Sequence, residues 1–201
     1  VDINPLAVDL ARLSVWIHTF VPALPLALLD HSLVQGNALV GIASLADAKA
    51  QLTRIAGVGL ALEPAEMLSA AQPHLRRLAR ISDATIPDIH EARRAHMAAL
   101  EAVGAARALF DAAVAVVLGD AGLRLPINNA IHAQAAAGGA VDLRGSGLHD
   151  RITATVAALS PLHMPVAFPE AFLRARPGFD VILGNPPWEK LRVERHEFWA
   201  R

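Results

Sequence analysis

The sequence predicts an α/β chain, part of a doubly wound parallel sheet interrupted by a large helical insertion. Three observations carry that expectation. Val181-Ile182-Leu183 is a short apolar run of the kind a parallel strand shows when both faces are covered, and Gly184 lets the backbone turn out of it. At the opposite end, Val1-Asp2-Ile3-Asn4-Pro5 reads as a strand end passing straight into a helix, with Asn4 as N-cap and Pro5 at the first helical position. Between them, roughly from Leu45 to Leu118, Ala, Leu, Glu and Arg recur with apolar residues at helical spacing.

The elements follow in chain order. The uncharged run from Leu13 to Leu29 approaches membrane-spanning length, but His18 lies within it and Pro22 and Pro25 interrupt it. It is expected to be a helix followed by a buried loop. Ser32 to Leu39 reads as a short strand with a glycine turn at Gly36. Pro64 with Glu66 marks a helix start, Pro73 follows another break, and Pro87-Asp88 opens the best helix, running through Glu91, Arg94, Leu100, Val103 and Phe110. Gly119 to Gly147 mixes Gly, Pro and Asn with few charges and is expected to be loop-like. A helix over Asp150 to Leu159 leads to Pro161 and a last strand. The chain thus divides into a sheet-forming part over 1–44, a mainly helical insertion over 45–160, and a resumed sheet-forming part over 161–201. The stretch from Asp2 to Asn185 is far longer than a minimal sheet needs between its second and fourth strands, which is why the middle is read as an insertion.

Composition excludes some functions. With 201 residues and 54% hydrophobic content, the chain is long enough to bury a sizeable core. Cysteine is absent, which rules out disulfides and thiolate metal sites and fits the cytoplasm. The nine histidines form no His-x-x-x-His pair in a metal-binding context, so no metal site is expected. A net charge of -1 shows no overall basic character, and nucleic-acid contact would have to come from local clusters. Arg76, Arg77, Arg80, Arg93 and Arg94 are such a cluster, with Arg76 and Arg80 on one helix face. A solvated face paired with Glu91 and Asp83 explains the same residues.

The chemistry concentrates after the last apolar run. In Asn185-Pro186-Pro187-Trp188, each proline locks its own φ and biases the preceding residue toward extended geometry. The Asn185 carboxamide and the Pro186 carbonyl therefore stand as two pre-set acceptors, matched to the two N–H donors of an exocyclic amino group. Trp188 offers a face on which the attached ring stacks, and Pro187 contributes rigidity. At the other end, an acidic residue at the end of a doubly wound strand can accept from both ribose hydroxyls, which makes Asp2 a candidate nucleoside ligand. An acidic residue that simply favours a helix N-terminus gives the same pattern.

Asn-Pro-Pro-Trp after an apolar strand resembles the catalytic motif of amino-group methyltransferases. With Phe168-Pro169-Glu170-Ala171-Phe172 upstream, the resemblance narrows to adenine-specific DNA methyltransferases of the large type IIG restriction-modification and BREX-type phage-defence class. Pro5-Leu6-Ala7-Val8-Asp9-Leu10-Ala11-Arg12-Leu13-Ser14-Val15-Trp16 is similar to the segment after the acidic loop in the same enzymes. The resemblance implies a partial Rossmann-like fold, S-adenosyl-L-methionine as cofactor, double-stranded DNA as partner, other defence-system subunits as further partners, and no membrane. It also implies that Ile3 packs on the cofactor adenine and that Asn37, with Ala38, lies near that adenine where the family commonly carries Asp; a plain turn asparagine remains the alternative. Catalysis would be N6 methylation of a flipped adenine, with Asn185, Pro186, Pro187 and Trp188 forming the amine pocket.

The family's glycine-rich cofactor loop after the first strand has no counterpart. Gly57-Val58-Gly59 and Gly138-Gly139 lack a preceding apolar strand and the right helix start. The expectation is an internal fragment, with the first strand missing and inactive alone. Protein glutamine methyltransferases share an Asn-Pro-Pro-aromatic loop and are the enzymatic alternative, N4-cytosine methylation more often carries Ser in place of Asn185, and an inactive helical scaffold of a defence complex is the non-enzymatic one.

Overall fold

The computed structural model describes residues 1–19, 32–81 and 85–184. Ten α-helices are seen among them: α1 (Pro5–Thr19), α2 (Leu45–Ala56), α3 (Pro64–Ser69), α4 (Gln72–Leu78), α5 (Ile86–Ala102), α6 (Gly104–Val114), α7 (Arg124–Ala136), α8 (His149–Ala157), α9 (Met164–Ala167) and α10 (Pro169–Phe172).

The α/β, Rossmann-like expectation is overturned, because the described residues contain no sheet. Extended backbone pairs in two isolated parallel bridges, Asp2 with Gln35 and Asn37 with Pro161. Each is cut short for a local reason. The helix begins at Pro5, directly after Asn4, and Asn37 turns the chain through a bond from the Val40 N–H to its own carbonyl. Pro161 has no N–H to continue a ladder. Val181, Ile182 and Leu183, the apolar run read as a buried strand, are 72%, 83% and 91% exposed and pair with no other segment among the described residues. A run that reads as a strand becomes one only beside a hydrogen-bonding neighbour.

The core forms around α6, in which Ala106, Ala108, Leu109, Phe110, Ala112, Ala113 and Val114 are all buried. A helix with apolar residues on most of its surface belongs inside, with Arg107 left on the exposed side, and its alanines let α2, α3, α5 and α8 come close around it. The expected helix through Phe110 is in fact two, because the chain breaks at Val103 and bends by 50° between α5 and the continuation of α6. The helix start expected at Pro87-Asp88 is that of α5, where Thr85 and Asp88 close a capping box. Together the bent pair is long and apolar enough to be compared with a membrane span, but no single described helix is.

Gly119 to Gly147 is not simply loop-like, since its middle, Arg124–Ala136, is α7. Leu123, Ile127 and Ile131, each four residues apart, are completely buried, and the Asp120 side chain accepts from the Gly122 N–H just ahead. The polar side of α7 is equally regular. Arg124, Asn128 and His132 reach the carbonyls of Arg54, Ile55 and Ala56 at 3.4, 2.9 and 2.7 Å, satisfying the C-terminal carbonyls of α2 that no helical bond can reach.

The segment after α7 is pinned by polar contacts. The Gln134 carboxamide accepts from the Asp142 N–H at 2.7 Å and donates to the Asp142 carbonyl at 2.9 Å. The Arg144 guanidinium donates to both Asp142 oxygens and, at 2.7 Å, to Glu101 on α5. Its side-chain hydrogen bond holds the Asp142 carboxyl below the ordinary carboxylate range, although burial opposes this. A depressed folded-state value means that the stabilisation is complete above the unfolded-state pKa, near 4, and disappears as pH falls through the folded-state value. Urea denaturation of wild type and Asp142→Asn at a series of pH values is therefore expected to show a constant stability difference from neutral pH to about pH 5, closing below about pH 4.

Candidate functional site

The two segments expected to hold a nucleoside are brought together. The Gly36 N–H donates to the Asp2 carbonyl at 2.9 Å and the Asp2 N–H to the Val34 carbonyl at 3.4 Å, so residues 1–3 lie in parallel register beside 34–37. Arg12 on α1 donates to the Leu33 carbonyl at 2.8 Å, holding the helix against the same segment. Asp2 and Ile3 therefore neighbour Asn37 and Ala38, the four residues singled out for the cofactor.

Their side chains are prepared in a definite way. Asp2 Oδ1 accepts from the Asn4 N–H at 2.8 Å, and Asn4 Oδ1 accepts from the Leu6 N–H at 3.0 Å, capping α1 as expected. Asp2 is exposed, and its Oδ2 has no partner among the described residues. Ile3 is 55% exposed, an apolar side chain open to a ligand. Asn37 Oδ1 accepts from the Leu39 N–H at 3.0 Å, which fixes the orientation of the amide and leaves Nδ2 as a donor with no partner among the described residues. An Asp at that position offers only acceptors, so Asn37 presents the opposite hydrogen-bonding character. Ala38 is exposed at the turn.

Behind this surface lies a constellation that sequence reasoning missed. His163 is buried and bridges three parts of the chain. Its Nδ1 accepts from the Ile42 N–H at 3.1 Å, so Nε2 carries the proton and donates to Asp111 Oδ1 on α6 at 3.0 Å. Phe110 meets the imidazole edge-on at 5.5 Å. Backbone bonds from Leu162 to Val40 and from Met164 to Ile42, at 2.8 and 2.9 Å, run alongside. Residues this far apart in sequence leave no periodic signal. His163→Ala is expected to cost about 2–4 kcal/mol, because two bonded polar groups lose their partner in the interior, whereas Asp111→Asn keeps an accepting Oδ1 and should cost less than about 1 kcal/mol. Chemical denaturation of both variants checks this.

Asn185, Pro186, Pro187 and Trp188 lie outside the described residues. The chain leading to them is described, and it gives the upstream aromatic motif a mechanical role. Phe168, just before α10, and Phe172, its last residue, contact Phe179 edge-on at 5.5 and 5.7 Å, and the Gly178 N–H donates to the Ala171 carbonyl at 2.9 Å. Arg174 donates to the Gly178 carbonyl and pairs with Asp180 at 2.8 Å, with Arg176 3.4 Å from the same carboxylate. The root of the Asn-Pro-Pro-Trp segment is thus clasped by rings and ion pairs. Among the described residues no three His, Asp or Glu side chains are grouped to hold a metal ion.

The parallel pairing of Asp2 with Gln35, and the rings and ion pairs that hold Phe179 and Asp180, are what the described residues show of the two candidate segments. A family model described as Eco57I restriction-modification methylase matches residues 1–198, and the chain belongs to that family. Methyltransferases of restriction-modification act on DNA and generally use S-adenosylmethionine. No curated protein and no solved structure matches the chain.

Proposed function

We propose that the chain carries the cofactor-binding and amine-binding residues of a site-specific DNA adenine-N6 methyltransferase of restriction-modification or phage defence. The observation that supports this reading is the parallel pairing of Asp2 with Gln35, which brings the segment carrying a half-free Asp2 carboxylate and an exposed Ile3 beside the segment carrying Asn37, whose amide keeps a donor without a partner among the described residues. The free Asp2 Oδ2 accepts from ribose hydroxyls, Ile3 covers an adenine face, and Asn37 Nδ2 donates to a ring nitrogen of the cofactor adenine, with Ala38 leaving room beside it. Bound S-adenosylmethionine supplies a sulfonium methyl group as the electrophile.

At the other end of the site, the Asn185 carboxamide oxygen and the Pro186 carbonyl accept the two N6 hydrogens of a flipped adenine, drawing the nitrogen toward tetrahedral geometry so that its lone pair faces the methyl carbon. Trp188 stacks on the extruded ring, and Pro187 keeps the turn rigid. No base is required before attack, because the methylated ammonium is acidic and releases its proton afterwards. Alignment accounts for most of the catalysis. Asparagine rather than serine at position 185 favours adenine over cytosine, and residues 1–44 and 161–201 carry the site while 45–160 form the helical insertion.

The test is incubation of the protein with mixed-sequence duplex DNA and S-adenosylmethionine, followed by nucleoside analysis. N6-methyladenine supports the proposal; N4-methylcytosine alone, or transfer to glutamine side chains of added protein with none to DNA, overturns it.

A further inference from the structure

The α4–α5 pair concentrates positive charge in a chain whose net charge is -1. Five arginines lie on it, Arg76 and Arg77 on α4, Arg80 just beyond, and Arg93 and Arg94 on α5, and all are exposed. The acidic side chains of the two helices are already committed. Asp88 closes the capping box with Thr85, Glu101 pairs with Arg144 at 2.7 Å, and Glu91 pairs with Arg77 at 2.9 Å. Arg76, Arg80, Arg93 and Arg94 consequently have no acidic partner among the described residues.

Three of these guanidinium groups share one feature. Arg76, Arg77 and Arg80, with Pro73, Ile81 and Glu91, line an open groove of about 510 Å³ between the helices. Arg94 sits one turn beyond Glu91 on α5 and extends the same side. Because the groove is open and its arginines are exposed, it has none of the enclosed, desolvated contacts that hold a small anion. Exposed guanidinium groups spread along two helices suit an extended polyanion instead, where each contact releases condensed counterions and no single contact must be strong.

We infer that the Arg76–Arg77–Arg80 groove, continued by Arg94, is a docking surface for the phosphodiester backbone of duplex DNA. This rests on the DNA-methyltransferase reading above and adds to it a surface apart from the amine pocket. Contacts of this kind position the duplex and carry no sequence information. Glu91 tempers the surface by neutralising Arg77.

The experiment measures binding of the full chain to mixed-sequence duplex DNA by fluorescence anisotropy, from about 50 to 200 mM salt, beside the methylation assay. In Arg76→Gln/Arg80→Gln, the slope of log affinity against log salt should shrink by nearly two, at ~0.9 per phosphate contact, with at least about tenfold weaker binding. Arg76→Lys/Arg80→Lys keeps the charges and should keep the slope. Glu91→Gln releases Arg77 and should steepen it by about one contact. If wild type binds and methylates DNA while the glutamine pair leaves the slope unchanged, or the lysine pair loses as much as the glutamine pair, the docking surface is refuted and the methyltransferase reading stands. If wild type does not bind duplex DNA at about 50 mM salt, this surface is refuted, and transfer to glutamine side chains in place of DNA would overturn the methyltransferase reading with it.

Discussion

Gly41→Ala is expected to destabilise the chain by about 3 kcal/mol or more, among the largest effects a single added methyl can have. Gly41 has φ +137°, a region that L side chains rarely adopt, and an added Cβ would stand 2.2 Å from the Leu162 carbonyl oxygen and 2.6 Å from its carbon. These are backbone atoms and cannot swing aside as the end of a long side chain would. Relief requires residues 40–42 to separate from 162–164, which breaks the bonds from Leu162 to Val40, from Met164 to Ile42, and from Ile42 to the His163 ring. The same separation shifts the turn that carries Asn37, so the cofactor contact proposed for that residue should weaken along with stability. Gly57→Ala is the control. Gly57 has φ +84° and nothing within 4 Å of an added Cβ, so only backbone strain of roughly 1 kcal/mol is expected there. Urea denaturation of the two variants decides the matter, and equal losses would show that the contact with Leu162 is not what makes position 41 sensitive.

Asn185→Ala is expected to lower the rate of DNA methylation by roughly a hundred- to thousandfold, the scale seen when one pre-set hydrogen-bonding group at a reacting centre is removed. The carboxamide oxygen is one of two acceptors proposed for the target amino group, and its contact strengthens as the nitrogen leaves planarity. The loss should therefore appear in kcat, with KM for DNA and affinity for S-adenosylmethionine little changed, because the contacts proposed for Trp188 and Asp2 do not involve the Asn185 amide. Asn185→Asp retains acceptor oxygens and should keep more activity than alanine. Single-turnover methylation separates these cases, and an alanine variant as fast as wild type would remove Asn185 from the reaction. Such a result would leave family membership untouched, since that rests on the match over residues 1–198.

What was legible in the sequence and what was not divides by the range of the interaction. Asn4 capping α1, Pro5 and Pro64 opening α1 and α3, and the start of α5 beside Pro87-Asp88 are decided within one helical turn by φ restriction and by side chains that satisfy nearby N–H groups. Even α7 left a trace, because Leu123, Ile127 and Ile131 keep helical spacing, but the glycines around them and the Pro and Asn among them obscured it.

Tertiary structure alone decided the rest. Val181, Ile182 and Leu183 carry strand propensity, yet parallel pairing is made between segments, and no described segment lies beside them. The His163–Asp111 bond spans 52 positions and the Ile42–His163 bond 121, distances at which no local pattern survives. The pairing that sets Asp2 and Ile3 beside Asn37 and Ala38 is of the same kind. The amino-acid sequence by itself determined the caps, the helix starts and the chemical groups of the site. Which of those groups meet was decided by packing around α6, because burial rewards whole apolar faces and carries the polar residues between them wherever the helices settle.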